Sequence, residues 1–244
     1  MSYHDRLYSA YVSTHTSKMY GEATLDGVRA QYPAWESYFG RFLPRRNDAK
    51  ILDIGCGNGG FVHFLHERGC ARAEGVDVSP EQVESSRKLG ICNISCADIA
   101  AFLSRRGEEF DIIFARDVIE HFSKEEVLGI FDAVRQALVP GGRFVCQVPN
   151  GESPMSGGIR YGDFSHESAF TRLSLGQIFS ATGYDAVECF ATGPVPKGFA
   201  SSVRCLIWKM MESVLRFYVL VETGATDGIF TQTIIAAGAK GGGR

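Results

Sequence analysis

The chain reads as an α/β protein: a doubly wound, seven-stranded, mostly parallel sheet with an N-terminal helical cap. Two observations predict this. From Lys50 onward, short apolar runs alternate with amphipathic stretches, the pattern of successive strand–helix units. One of those runs, Phe110–Ala115, is apolar on both faces, as a central parallel strand must be. The 244 residues are enough for one large core, so one domain over 1–244 is expected. Within it, 1–47 form the cap or lid, 48–190 the ligand-binding core, and 191–244 an amphipathic helix and final strand.

The elements follow in order. Residues 3 to about 43 are rich in aromatics without strand alternation and read as helical, ending at Pro44-Arg45-Arg46-Asn47-Asp48. The first strand is Lys50–Ile54, and Gly69 stops the helix after it. A second strand over 72–77 leads into Ser79-Pro80-Glu81-Gln82, where Ser79 caps, Pro80 suits the first helical position and Gln82 completes a capping box. That helix ends at Gly90. A third strand covers 92–97 and the fourth 110–115. Ser123 and Glu126 open a helix with another capping box, which ends before Pro140-Gly141-Gly142. Arg143–Val148 is the fifth strand, and runs at 185–191 and 229–237 close the sheet.

Composition narrows the setting. Net charge is −3, so nothing demands a nucleic-acid partner. Seven cysteines, an odd number without CxxC pairs, suit reduced thiols better than a disulfide framework. The N-terminus has no apolar signal core, so a cytoplasmic location is expected.

The glycine turn Asp53-Ile54-Gly55-Cys56-Gly57-Asn58-Gly59 joins a strand to a helix, where missing Cβ atoms let a ligand approach the backbone. Gly55, Gly57 and Gly60 also satisfy GxGxxG, the dinucleotide fingerprint, so spacing alone does not choose the ligand. Three acids do. Asp53, near the strand end, suits a cationic amino-acid moiety and would repel a pyrophosphate. Asp77 ends the second strand, placed to accept from ribose hydroxyls. Asp98 ends the third, where it would accept from an adenine amino group while Ile99 packs on the ring. Cys56, Val78 and Arg116 complete the set. Three acids around one pocket fit S-adenosylmethionine, with its sulfonium and ammonium groups. A nicotinamide oxidoreductase is disfavoured: no Tyr-x-x-x-Lys pair occurs.

Ile51–Gly57, Gly75–Pro80, Asp117–Phe122 and Pro140-Gly141-Gly142 resemble the successive motifs of class I S-adenosylmethionine-dependent methyltransferases, in the branch that includes the ubiquinone-biosynthesis O-methyltransferases. The resemblance implies their Rossmann-like fold and covers about 48–190. Tyr8–His15, Arg160–Glu167 and Thr231–Ile235 are in turn similar to small methyltransferases encoded with bacterial surface-polysaccharide genes. On that narrower resemblance Tyr11 and His15 join the cofactor residues, as part of a lid with Tyr3 and Tyr8.

Methyl transfer is an in-line displacement that needs alignment, exclusion of water and, for a hydroxyl acceptor, a base. His121, after the fourth strand, and His166, in the long connection after the fifth, are the candidate bases. Asp117, Glu120 and His121 stand at i, i+3 and i+4, one face of a helical turn. With His166 they form an O,O,N,N set resembling the metal site of ubiquinone O-methyltransferases and small-RNA 2′-O-methyltransferases. A divalent cation there would lower the acceptor hydroxyl's pKa.

Residues 203–221 are apolar but interrupted by Arg204, Lys209, Glu212 and Arg216, which rules out a simple membrane span. They read as an amphipathic helix with a wide apolar face, which packs on the cap, forms a homodimer interface or touches a membrane surface. The expected function is methyl transfer to a small-molecule or glycan hydroxyl, in surface-polysaccharide or secondary-metabolite biosynthesis. The alternatives are N-methylation of an amino sugar or other small amine, RNA or protein methylation, and a non-catalytic cofactor-binding subunit.

Overall fold

The computed structural model describes residues 22–242. The chain begins with two short helices, α1 (Leu25–Arg29) and α2 (Tyr32–Phe39), and a 3-10 turn (Gly40–Phe42). There follow β1 (Lys50–Ile54), α3 (Gly60–Glu67), β2 (Arg72–Asp77), α4 (Pro80–Lys88), β3 (Ile94–Cys96), α5 (Ile99–Leu103) and β4 (Phe110–Arg116). After a 3-10 turn (Ile119–His121) come α6 (Lys124–Ala137), β5 (Leu138–Pro149), α7 (Ser156–Arg160), α8 (Arg172–Ala181), β6 (Tyr184–Ala191), α9 (Phe199–Thr223) and β7 (Thr233–Lys240).

The seven strands form one sheet in the order β3-β2-β1-β4-β5-β7-β6. β7 alone runs antiparallel, pairing with β5 on one side and β6 on the other. The strand order reverses between β1 and β4, so a crevice opens there at the carboxyl ends of the strands. One sheet face carries α5, α6 and α8 over Leu52, Phe110, Phe131, Phe144 and Phe179. The other carries α1, α2 and α3 over Ile51, Phe61, Phe64 and Phe114. Trp35 and Phe39 of α2 pack edge-on against Phe61, with ring centroids 5.5 and 5.2 Å away. Burying each such ring contributes about 2 kcal/mol, and this contact fastens the described part of the cap to the sheet.

Three boundaries and one cap differ from the sequence reading. α6 ends at Ala137, and the Pro140-Gly141-Gly142 run lies inside β5 rather than before it. The β4–β5 register shifts between Phe110 and Ile112, and a Cβ on Gly142 would sit 2.9 Å from the Val139 carbonyl oxygen, so the glycines build a bulge. The last strand starts at Thr233, not 229, because the Asn150 side chain takes the carbonyls of Ile229 and Thr231 and its amide that of Gln232. The third strand is confined to Ile94–Cys96, next to Asn93 in the left-handed region at φ +65°. Finally, Ser79 accepts from the Gln82 amide but the reciprocal bond is absent, since the Ser79 amide is held by Asp77. The capping box of Ser123 and Glu126 forms in full.

The apolar stretch is one helix, α9, without a buried residue. Its apolar side faces outward, and the expectation that it packs on the cap falls in part on residues 1–21, outside those described. No helix among the described residues is long and apolar enough to cross a membrane. All seven cysteines are unpaired; Cys56, Cys70 and Cys146 are buried, whereas Cys92 and Cys96 are exposed.

Candidate active site

The glycine turn is shaped by what surrounds it. Gly55 lies at φ +64°, and a Cβ there would meet Val118 Cγ2 at 2.4 Å. Only glycine supplies that conformation and clearance together, and the contact presses the segment after β4 against the turn. Gly57 lies at φ +56°, where a Cβ would meet only the Gln82 side chain, at 3.9 Å, and its amide donates to Asp77 Oδ2 at 2.7 Å. The other Asp77 oxygen accepts from the Ser79 amide at 2.8 Å. Asp77 therefore ties the first strand–helix turn to the second. Burial pushes its carboxyl up, opposed by these two bonds. The Cys56 thiol, buried behind the turn, is pushed well above its usual range by burial and stays protonated. Val78, beside Asp77, is 48% exposed and offers an apolar surface at the rim.

Asp53 is wholly buried and pairs with Arg116 Nη2 at 3.4 Å. The guanidinium in turn lies over the rings of Phe61 and Trp35, 4.3 and 5.1 Å from their centroids. Burial raises the Asp53 carboxyl to about 6, with Arg116 pulling the other way. Asp53 Oδ1 has no hydrogen-bond partner among the described residues. An unsatisfied buried carboxylate oxygen costs on the order of 1–3 kcal/mol, which a cationic ligand would offset.

The expected third acid is placed differently. One Asp98 oxygen accepts from the Ala101 amide at 2.8 Å, capping α5, and Ile99 is buried in the core rather than presented to a ring. Tyr11 and His15 lie outside the described residues.

Beyond Val118, Glu120, His121 and His166 come together, with one candidate ligand atom from each within 4.8 Å of the others. The loop that brings His166 is docked by backbone: the Glu167 and Ser168 amides donate to the Glu120 carbonyl, and Arg160 donates to the carbonyls of His166 and Glu167. The hydrogen bonds fix both imidazoles. Ser165 Oγ donates its one proton to Asp163 Oδ1 at 2.6 Å, so at 3.0 Å it accepts from His121 Nδ1–H. His166 Nδ1 donates to the Ile159 carbonyl at 3.0 Å. In each neutral ring the lone pair therefore sits on Nε2. Glu120 Oε1 lies 3.9 Å from His166 Nε2, too far for a hydrogen bond. Glu120 Oε2 is buried without a partner among the described residues. Burial, and secondarily Asp117, pushes its carboxyl well above the carboxylate range.

Asp117 does not join them. It sits outside the 3-10 turn at φ +54°, so the expected helical face does not form, and Gln147 Nε2 holds both its oxygens, at 2.8 and 3.1 Å. Gln147 is also in the wall of a cavity of about 400 Å³ with Tyr38, Thr192, Arg204, Trp208 and Thr233. Sequence reasoning missed Gln147, Ser165 and Asp163. The Asp163-Phe164-Ser165 spacing was the available signal for the last two, because the Ser165 amide also donates to Asp163, closing an Asx turn.

Comparison with known proteins agrees with this architecture. The profile of the methyltransferase domain family matches residues 28–189. A ubiquinone biosynthesis O-methyltransferase from Cereibacter sphaeroides is 32% identical over 109 residues, 41% of each chain, so the chain spans about two-fifths of the relative it matches. An S-adenosylmethionine-dependent methyltransferase from Archaeoglobus fulgidus superposes with TM-score 0.64 at 18% identity, over 88% of this chain and 97% of that one. Phosphoethanolamine N-methyltransferase 2 from Haemonchus contortus, in complex with S-adenosyl-L-methionine, superposes with TM-score 0.58 at 19% identity, over 96% and 60%. With the family profile matching most of its length, the chain belongs to the methyltransferase domain family, and it shares the fold of the S-adenosylmethionine-dependent methyltransferases on which it superposes.

Proposed function

We propose that this methyltransferase acts on a hydroxyl oxygen of a small-molecule or glycan acceptor. The observation that carries the reading is the paired imidazoles of His121 and His166, each hydrogen-bonded at Nδ1, which directs its ring lone pair to Nε2. As the acceptor oxygen attacks the methyl carbon, the carbon–sulfur bond breaks and the hydroxyl proton passes to an imidazole Nε2, His166 being our first choice. Asp53, Asp77 and the amide edge of Gly55, Cys56 and Gly57 would hold the donor, Val78 would flank its adenine, and Arg116 would set the charge of Asp53. The second oxygen of Asp98 remains the candidate partner of the adenine amine. The cavity beside Gln147, with its hydroxyl, amide and guanidinium groups, suits a hydroxyl-rich acceptor. Such acceptors belong to surface-polysaccharide or secondary-metabolite biosynthesis, and seven unpaired thiols favour the cytoplasm as its place.

A divalent cation is a second reading, favoured by the partnerless Glu120 Oε2. The donor types fit: a carboxylate oxygen and an Nε2 lone pair 3.9 Å apart lie within the maximum of about 4.2 Å that two ligands, each about 2.1 Å from one ion, can span. Glu120, His121 and His166 would hold it, without Asp117, and the ion would lower the acceptor hydroxyl's pKa.

Tritiated S-adenosylmethionine offered with o-diphenols, free sugars and amino sugars tests both. The expected outcome is label on oxygen, with His166→Ala losing about 100-fold or more in turnover while S-adenosylhomocysteine still binds. Label on the amino group of amino sugars, or full turnover in His121→Ala/His166→Ala, overturns the hydroxyl reading. Turnover indifferent to excess EDTA removes the cation.

A further inference from the structure

The helix α9 is turned inside out. Glu212 and Arg216 form an i,i+4 ion pair, at 2.7 Å, on its half-buried side, where Arg216 also donates to the carbonyls of Thr226 and Gly228 and lies over the Phe230 ring. Trp208, on the same side, helps to wall the cavity beside Gln147. The outward side carries Val203, Ile207, Met210, Val214, Phe217 and Val221, each 40–71% exposed. Their spacing alternates four and three residues throughout, a 3.5-residue repeat that keeps a straight seam toward a partner helix. A helix of 25 residues without a buried side chain is not held by propensity alone.

We propose that this seam pairs with the same seam of a second copy, in antiparallel register about Glu212. Reversed on itself, the seam matches: Val203 meets Val221, Ile207 meets Phe217 and Met210 meets Val214. A two-fold axis through Glu212 makes the contact self-complementary and closed, and it opposes the two helix dipoles favourably. With Leu206, Met211 and Tyr218, exposed by 62, 53 and 62% along its flanks, the seam removes on the order of 800 Å² per copy from water, the size of a standard stable interface. A lipid surface fits less well. Membrane-lying helices set Lys and Arg on the polar face to reach headgroups, whereas here one of the three cations is locked to Glu212 against the body. The pairing would also brace Trp208 in the cavity wall from outside.

Sedimentation equilibrium of the full chain, with and without phosphatidylglycerol vesicles, tests the proposal. Wild type is expected as a dimer at micromolar concentration. Met210→Glu/Val214→Glu should weaken association at least 100-fold, leaving circular dichroism and S-adenosylhomocysteine binding unchanged because both sites are solvent-exposed. In the antiparallel register position 210 faces position 214 of the other copy, so Met210→Lys/Val214→Glu should restore the dimer. A wild-type monomer, whether it ignores or coats the vesicles, overturns the proposal. So does a dimer untouched by the double glutamate variant, and failure of the lysine–glutamate variant to associate overturns the antiparallel register.

Discussion

Asp53 and Arg116 meet across the switch point of the sheet, a carboxylate with no exposure 3.4 Å from a guanidinium that lies over two aromatic rings. The pair is buried and incomplete, since Asp53 Oδ1 has no partner among the described residues. That makes it sensitive to pH in a direction opposite to an exposed ion pair. Folded Asp53 keeps its proton to about pH 6, while an unfolded aspartate releases it near pH 4. Between those values the folded state binds the extra proton, so its contribution is fullest below about pH 4 and is lost as pH rises to about 6. The difference amounts to about 2–3 kcal/mol. Urea midpoints of wild type and Asp53→Asn at pH 4.5 and 7 check this: the wild type should lose stability relative to the variant over that interval.

The same titration should govern the donor. A cationic ligand needs Asp53 ionised, so affinity for S-adenosylmethionine should rise about tenfold from pH 5 to pH 7. Calorimetry at the two pH values measures it, and Asp53→Asn should flatten the profile.

Asp77→Ala removes the acceptor of two backbone amides, from Gly57 and Ser79. Bonds to a charged group contribute about 1.5–3 kcal/mol each. The expected result is loss of S-adenosylhomocysteine binding by 100-fold or more, with a lowered melting temperature. Binding within threefold of wild type would count against Asp77 as the link between the two turns.

Gly55→Ala puts a Cβ 2.4 Å from Val118 Cγ2, at φ +64°. Overpacking and strain of this kind cost about 1–3 kcal/mol each. Adding Val118→Ala should recover the overpacking part and leave the backbone part, so denaturation of the two single variants and the double variant should give non-additive losses.

Ser165→Ala leaves His121 Nδ1–H without its acceptor and Asp163 without the hydroxyl it receives. Loss of such an orienting partner weakens a metal-binding imidazole about 10–100-fold. Titration with Mn(II), followed by paramagnetic relaxation, should show that weakening with the fold unchanged. Equal affinity in both proteins would mean that Ser165 does not orient a ligand.

The sheet was legible because its information is local. Each of β1, β4 and β5 carries an apolar run with a turn after it, which periodicity finds without knowing its neighbours, and β2 is marked by the capping sequence that follows Asp77. Asp53, Gly55, Gly57 and Asp77 were legible for the same reason, as strand ends and turn glycines are marked in sequence. What was not legible depends on contacts distant along the chain. Asn150 delays β7 by capturing carbonyls about eighty residues away. Gln147 draws Asp117 from the set expected for His121, and no spacing rule announces that competition. Asp98 was found at its strand end, but whether such an acid caps a helix or faces a ligand is decided by a rotamer. The seam of α9 was visible as apolar content, yet which way it faced depended on Arg216 finding the carbonyls of Thr226 and Gly228.

The placement of β7 has a consequence for how the molecule is made. β7 is synthesised after both of the strands it lies between, and β6 is hydrogen-bonded in the sheet only through it. Until residues 233–240 have left the ribosome, β5 presents a bare edge and β6 has no place to dock. The nascent chain must therefore carry an open sheet from the completion of β5 until β7 emerges, a long-range closure of the kind that slows folding and exposes strands to mispairing.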